Sequence, residues 1–123
     1  MVGKLKPHEV LLLARRRAGD GQARAARRHG VSLYRYRRWE TGGELDGIPR
    51  PRLGRILTHE RCLIARLRAG LTVVQFAWVA GVSRWWLIRM EAGEVPATRL
   101  LAAWSRRASR GRPTSSKRGR RST

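Results

Sequence analysis

An internal repeat constrains this chain most, because residues 8–42 align with residues 59–93 at a constant offset and without a gap. Fifteen of the 35 aligned positions are identical, and they include a Gly-Val-Ser tripeptide in each copy. The similarity continues, after a four-residue slip, from residues 48–57 to residues 95–104. A fixed period of this size is typical of tandem structural units. The sequence therefore predicts two copies of one unit of about 50 residues each.

Both copies are predicted to be helical, since Ala, Leu and Arg are abundant and β-branched residues do not alternate. The helix signals occur in pairs, one in each copy. A first helix is expected to end at Gly19 or Gly70, because glycine is favoured just after a helix C-terminus. A second helix is expected to run to about His29 or Ala80, and a tight turn should follow at Gly30 or Gly81.

Ser32 and Ser83 are predicted to cap a third helix, because a serine hydroxyl can accept from the free N–H groups of the first turn. This helix is expected to end at Gly42 or Gly93. Pro49 and Pro96 are predicted to lie in the first turn of a fourth helix. The prediction is an all-α protein with two tandem helix-turn-helix units of about four helices each, at residues 1–57 and 58–104, and a disordered basic tail at residues 105–123.

The chain is strongly basic, with a formal net charge of +20. A balance of this kind indicates a polyanionic partner, most often nucleic acid and sometimes an anionic membrane surface. No apolar run reaches the ~20 residues of a membrane span, and the N-terminal segment is a poor signal peptide. The single cysteine, Cys62, is expected to be a small buried residue rather than a metal ligand. We expect no metal, no cofactor, no small-molecule ligand and no catalytic site.

Two stretches carry a resemblance to a known family. "RAGLTVVQFAWVAGVSRWWLIRMEAGEVP" and "GVSLYRYRRWETG" resemble the Cro/repressor (Xre) helix-turn-helix family of phage and bacterial regulators. The likeness extends over about residues 5–104, and it implies a lambda-repressor-like fold for each unit. It also implies a structural ion pair in each copy, Arg15 with Glu40 and Arg66 with Glu91.

The resemblance further implies that the third helix of each unit, Ser32–Thr41 and Ser83–Ala92, lies in the major groove of DNA. Six positions match the base-reading positions of the family: Leu33, Tyr34, Arg38, Arg84, Trp85 and Arg89. Helical spacing agrees, because it turns Tyr36 and Trp39 inward with Glu40 in the first copy, and Leu87 and Met90 inward in the second. For Trp85 the alternative is a buried core position, since large apolar side chains are usually inside. Contacts with phosphate are expected from Gln22, Arg35, Arg37, Arg50, Arg52, Thr72 and Gln75.

The second copy departs from the family pattern, because Trp78 and Val79 replace the basic Arg27 and Arg28. These two side chains are expected to pack against the other copy or against a partner. The units are separated by little linker, so their relative orientation is expected to be fixed by packing. Such a tandem would let one chain read two unlike half-sites, ~34 Å apart.

The tail, "SRRASRGRPTSSKRGRRST", has no apolar content apart from one alanine and one proline. "RGRP" resembles the core of an AT-hook, which places arginines in a narrow A·T minor groove. The alternative is an unspecific tail that binds phosphate. Either interpretation uses the same six residues: Arg110, Arg112, Lys117, Arg118, Arg120 and Arg121.

The sequence thus predicts a sequence-specific regulator that binds double-stranded DNA, acts as a phage-type repressor at an operator, and works in the bacterial nucleoid or an infected host cell. The step from fold to repression is an analogy. Two alternatives remain open. One is a recombination or excision accessory protein that bends DNA, and the other is an architectural protein that coats DNA without sequence preference.

Overall fold

The computed structural model describes residues 4–98, and these residues form six helices and no strand. The prediction of an all-helical chain is confirmed for this part of the protein. In chain order the helices are α1 (Pro7–Ala18), α2 (Gln22–Arg28), α3 (Leu33–Thr41), α4 (Thr58–Arg68), α5 (Val73–Ala80) and α6 (Arg84–Glu91).

The caps of the third helix in each copy form as predicted. The Ser32 hydroxyl accepts from the backbone N–H of Arg35 at 3.1 Å, and the Ser83 hydroxyl accepts from Trp86 at 3.0 Å. Each hydroxyl satisfies a backbone donor that has no partner within its own helix. The turn before each serine contains a glycine with positive φ, as the sequence predicts.

The chain divides into two compact units, Met1–Ile64 and Ala65–Thr123. The division lies inside α4, after the repeat boundary at residue 57. In the first unit, α3 packs against both α1 and α2. One cluster of buried hydrophobic residues in this unit consists of Leu11, Ala25, Ala26, Tyr36, Trp39 and Ile48. Cys62 is fully buried, as the sequence predicts.

In the second unit, α5 packs against α6. The buried residues of these two helices are Phe76, Ala77, Ala80, Leu87, Met90 and Glu91. The inward positions on α6 are therefore those that the helical spacing predicts. Among residues 4–98, no single helix is long and apolar enough to cross a membrane. The bent pair of α4 and α5 together has sufficient length and apolar composition, but it qualifies by those two properties alone.

The predicted fourth helix of the first copy is wrong, because residues 49–57 are not helical. Pro51 disfavours a helical conformation at Arg50, and Gly54 adopts a φ of 67°. Both features prevent Pro49 from starting a helix. In the second copy Thr98 is helical, but residues 99–123 lie outside the described residues, and the predicted basic tail lies there with them.

Candidate nucleic-acid interface

The first unit exposes an aromatic and basic face on α3. Tyr34 is 72% exposed, and the guanidinium of Arg38 lies 5.8 Å from the centre of its ring. Tyr36, Trp39 and Glu40 are buried on the opposite side of the helix, as predicted. Helical periodicity thus separates Tyr34 and Arg38 from the residues that hold α3 in the unit, whereas the third predicted reading position, Leu33, is half-buried.

The second unit exposes the corresponding face of α6. Trp85 is 65% exposed, so it is not the buried core residue of the alternative interpretation. The Arg84 guanidinium lies 4.9 Å from the centre of the Trp85 ring, within the range of a cation–π contact. Arg89 lies on an exposed part of the same helix, and its side chain is 60% exposed. Arg84, Trp85 and Arg89 therefore present cationic and aromatic groups to solvent.

Both predicted structural ion pairs form, and each has two hydrogen bonds. Arg15 donates to the two carboxylate oxygens of Glu40 at 2.5 and 3.1 Å. Arg66 donates to those of Glu91 at 2.6 and 3.0 Å. Each arginine also donates to a backbone carbonyl five residues later in the chain, that of Asp20 or of Leu71. The pairs connect the first helix of each copy to the third.

Several of the predicted phosphate-binding side chains have partners within the protein. Gln22 donates to Glu40 at 3.0 Å and accepts from Arg37 at 3.2 Å. Arg35 donates to Glu44 at 2.8 Å, and its guanidinium lies 5.2 Å from the centre of the Trp39 ring. A phosphate contact at Gln22 or Arg35 would have to replace these hydrogen bonds, or add to them.

The remaining predicted phosphate-binding positions lie in two places. Thr72 and Gln75 form a reciprocal cap at the start of α5, in which each side chain accepts from the other residue's backbone N–H. Arg50 and Arg52 are exposed in the segment that replaces the predicted fourth helix. The tail positions Arg110, Arg112, Lys117, Arg118, Arg120 and Arg121 lie outside the described residues.

An apolar patch on the second unit contains the two side chains that the sequence singles out for association. Trp78 is 79% exposed and Val79 is 42% exposed. Together with Leu71, Val74 and Gln75 they line a groove with a volume of about 410 Å³. The helix that carries the patch, α5, has no charged residue.

The sequence did not predict the role of two glutamates that follow the exposed helices. Glu44 lies 2.8 Å from Arg35 and 3.5 Å from Arg38, and Glu94 lies 3.4 Å from Arg89. A signal was present, because each glutamate directly follows a glycine, Gly43 or Gly93, that comes two residues after the end of an arginine-containing helix. Within residues 4–98, no group of three or more His, Cys, Asp or Glu residues is placed to hold a metal ion.

A second unpredicted contact ties α1 to the segment after residue 52. Arg17 donates to both carboxylate oxygens of Glu60 at 2.7 Å and to the carbonyls of Leu53 and Arg55 at 2.5 and 2.7 Å. The hydrogen bond from Arg17 lowers the pKa of Glu60, although burial opposes it. The same bond raises the pKa of Arg17.

No protein-family model matches this chain, and no curated protein or solved structure matches it either. The resemblance to the Cro/repressor family therefore rests on the residues quoted above.

Proposed function

We propose that this protein binds double-stranded DNA sequence-specifically, as two tandem helix-turn-helix units that place α3 and α6 in the major groove. One observation carries the proposal. Two helices built in the same way, each after a glycine turn and a serine cap, expose arginine and aromatic side chains on the face opposite the buried one. A helix with such a face fits the major groove of B-DNA.

The exposed arginines supply the chemistry of base recognition. Arg38 and Arg89 occupy equivalent positions in the two copies. A guanidinium can donate two parallel hydrogen bonds to O6 and N7 of guanine, and such a contact discriminates against other bases by about 1–3 kcal/mol. Tyr34 and Trp85 provide flat apolar surface for a thymine methyl group or a sugar. The two helices differ at the remaining exposed positions, so we expect a site with two unlike parts.

The net charge supplies the part of binding that does not depend on sequence. A chain with a formal charge of +20 releases counterions from the phosphate backbone when it binds. Arg37 is an exposed cationic group on the first unit's proposed reading helix, and Arg50 and Arg52 are exposed in the segment that follows this helix. By analogy with the family that it resembles, the protein would act as a transcriptional repressor that occupies an operator.

The charge also favours a second candidate, a protein that coats DNA without sequence preference. The Arg-rich tail and the +20 charge are sufficient for such binding. The two candidates differ in one measurable property, which is the ratio of affinities for different duplex sequences.

The test is a selection of bound sequences from a random duplex library at about 150–200 mM salt, where unspecific binding is weakened. Enrichment of a site with two unlike parts, one weakened by Arg38→Ala and the other by Arg89→Ala, supports the proposal. Binding that fades with salt and enriches no sequence contradicts it and supports the coating protein. Genomic mapping then separates a repressor, with sites in promoters, from a recombination accessory protein, with sites beside attachment sequences.

A further inference from the structure

Glu44 and Glu94 each lie against an arginine of the helix that they follow. The backbone N–H of Glu44 donates to the carbonyl of Arg38 at 3.3 Å, and the Glu44 carboxylate lies 3.5 Å from Arg38 Nε. The backbone N–H of Glu94 donates to the carbonyl of Arg89 at 2.9 Å, and its carboxylate lies 3.4 Å from Arg89 Nε. In both units one glutamate therefore contacts the main chain and the guanidinium of the same arginine.

This arrangement does not follow from the repeat itself. If the same offset is continued past the end of the gap-free alignment, Glu44 corresponds to Val95, and Glu94 corresponds to Gly43. The glutamate is thus one position earlier in the second copy, yet its carboxylate reaches the equivalent arginine. The same contact with arginine therefore forms from two positions that the repeat does not match. The repeated sequence alone does not produce it.

We infer that Glu44 and Glu94 are specificity-determining residues, which hold the proposed base-reading arginines in intramolecular ion pairs and so compete with DNA phosphate. The inference rests on the proposed function. A guanidinium bonds to carboxylate and phosphate oxygens in similar ways. Exchanging one exposed oxyanion for another gains little, whereas the guanine edge offers two acceptors at a fixed spacing. In both units the carboxylate lies nearest Nε of the arginine, so it can stay paired while the two Nη groups donate to guanine, whereas a phosphate competes with it for the guanidinium. The glutamates therefore weaken binding to an arbitrary duplex more than binding to the correct one.

The contact is more extensive in the first unit. The Glu44 side chain is only 28% exposed, and it also accepts from Arg35 at 2.8 Å. Arg38 is held further by a hydrogen bond of 2.9 Å to the carbonyl of Gly43. In the second unit the Arg89 and Glu94 side chains are about equally exposed, at 60% and 61%. Removing the carboxylate of Glu44 should consequently have the larger effect.

Asp46 provides a matched control. It lies on the same segment as Glu44, its side chain is 96% exposed, and its carboxylate lies 3.9 Å from the Arg35 guanidinium. The hydrogen bond of 3.2 Å from Arg35 goes to the Asp46 backbone carbonyl, which Asp46→Asn retains. No ion pair joins it to Arg38 in the part of the chain that the structure describes. Asp46→Asn removes the same charge from the same neighbourhood but leaves Arg38 held by Glu44. It therefore separates the loss of a specific ion pair from a change in net charge.

The experiment measures the affinity of the full chain for its selected duplex and for a scrambled duplex, by fluorescence anisotropy between about 50 and 200 mM salt. We expect Glu44→Gln to tighten binding to the scrambled duplex about two- to fivefold. The affinity of this variant for the scrambled duplex should also depend more steeply on salt concentration, by the equivalent of about one additional phosphate contact. Binding to the selected duplex should change less, so the preference falls. Glu94→Gln should act in the same direction with a smaller change.

Equal tightening on both duplexes overturns the inference, and so does the same change of preference in Asp46→Asn, because either result assigns the effect to net charge. A wild-type chain that does not prefer its selected duplex contradicts the proposed function, and the specificity role fails with it. A wild-type chain that shows the preference, together with a Glu44→Gln variant that keeps all of it, contradicts the inference alone.

Discussion

Arg66 Nε and Nη2 donate to the two carboxylate oxygens of Glu91 at 2.6 and 3.0 Å, and the two side chains are 10% and 4% exposed. The pair connects α4 to α6, which is the proposed reading helix of the second unit. Because water is largely excluded, the loss of one partner removes the ion pair and both of its hydrogen bonds from a buried charge.

Arg66→Met should therefore destabilise the protein by about 3–5 kcal/mol, measured as the free energy of unfolding in urea. The matched control is Arg89→Met, which breaks an ion pair whose two side chains are more than half exposed. We expect the control to cost less than about 1 kcal/mol. Similar decreases in the free energy of unfolding of the two variants would contradict the structural role of the Arg66–Glu91 pair.

Acid should weaken the contact between Arg17 and Glu60. The hydrogen bond from Arg17 holds the pKa of Glu60 below its ordinary value of 4.5, burial opposes this, and the N–H of Leu57 supports it. A carboxyl group with a lowered pKa in the folded state contributes its full stabilisation above pH 4.5. That contribution is lost as the pH falls through the lowered pKa.

We therefore expect the thermal midpoint of the wild type to decrease more than that of Arg17→Met when the pH is lowered below about 4.5. At neutral pH the variant should be the less stable of the two. Thermal unfolding between about pH 3 and 7 measures this difference. Glu60→Gln removes the titrating group and should show the same reduced dependence on acid. Parallel pH profiles for the wild type and Arg17→Met would exclude Glu60 as a source of the acid sensitivity.

Among residues 4–98, no group lies in hydrogen-bonding geometry with the buried Tyr36 hydroxyl. Burial and the neighbouring Glu40 carboxylate raise the pKa of Tyr36. A buried donor without a partner costs free energy, so Tyr36→Phe should leave the free energy of unfolding unchanged or raise it by up to about 1 kcal/mol.

Trp39→Phe is the comparison, because Trp39 Nε1 donates to the carbonyl of Asp46 at 3.0 Å. Loss of that bond and of ring volume should cost about 1–3 kcal/mol. Chemical denaturation of both variants measures these two changes in the free energy of unfolding. A clear loss of stability in Tyr36→Phe would mean that the hydroxyl donates to Glu40 in solution.

Trp85→Ala should weaken DNA binding without weakening the fold. The side chain is 65% exposed on α6, so its removal should change the free energy of unfolding by no more than about 0.5 kcal/mol. Loss of its contact with DNA should reduce the affinity about five- to tenfold, which corresponds to roughly 1–1.4 kcal/mol. Anisotropy titration with the selected duplex measures the change.

Trp78→Ala is the control for this variant, because Trp78 is a similarly exposed tryptophan on α5. We expect its affinity for DNA to match that of the wild type. A comparable loss in both variants would assign the effect to exposed apolar surface in general and would contradict a base-reading role for Trp85.

The sequence predicted the ends of helices well where the type of a single residue sets the local backbone conformation. Ser32 and Ser83 cap the helices that follow them, and Gly42 ends α3 in the left-handed conformation. The prediction of a fourth helix after Pro49 is wrong, because a second proline follows two residues later. Pro51 acts on the conformation of Arg50, and this effect was already present in the sequence.

The candidate site was predicted in part. Helical spacing placed Tyr34 and Trp85 outside and Tyr36 and Leu87 inside, because a helix of 3.6 residues per turn separates its faces without reference to the rest of the chain. The partners of the exposed arginines were not predicted. Their geometry depends on where the chain goes after the helix ends, and spacing alone does not determine that path.

The sequence by itself determined the two copies, the helical class, the capped third helices and the charge of their exposed faces, since these follow from short-range backbone preferences and composition. Beyond the two ion pairs that the family resemblance implies, only the tertiary structure decided which charges meet. It brings Arg17 to Glu60 across 43 positions, and it turns Glu44 back onto Arg38. Such ion pairs depend on distances of a few ångströms between side chains, and these distances exist only after the helices and the segments that follow them have packed.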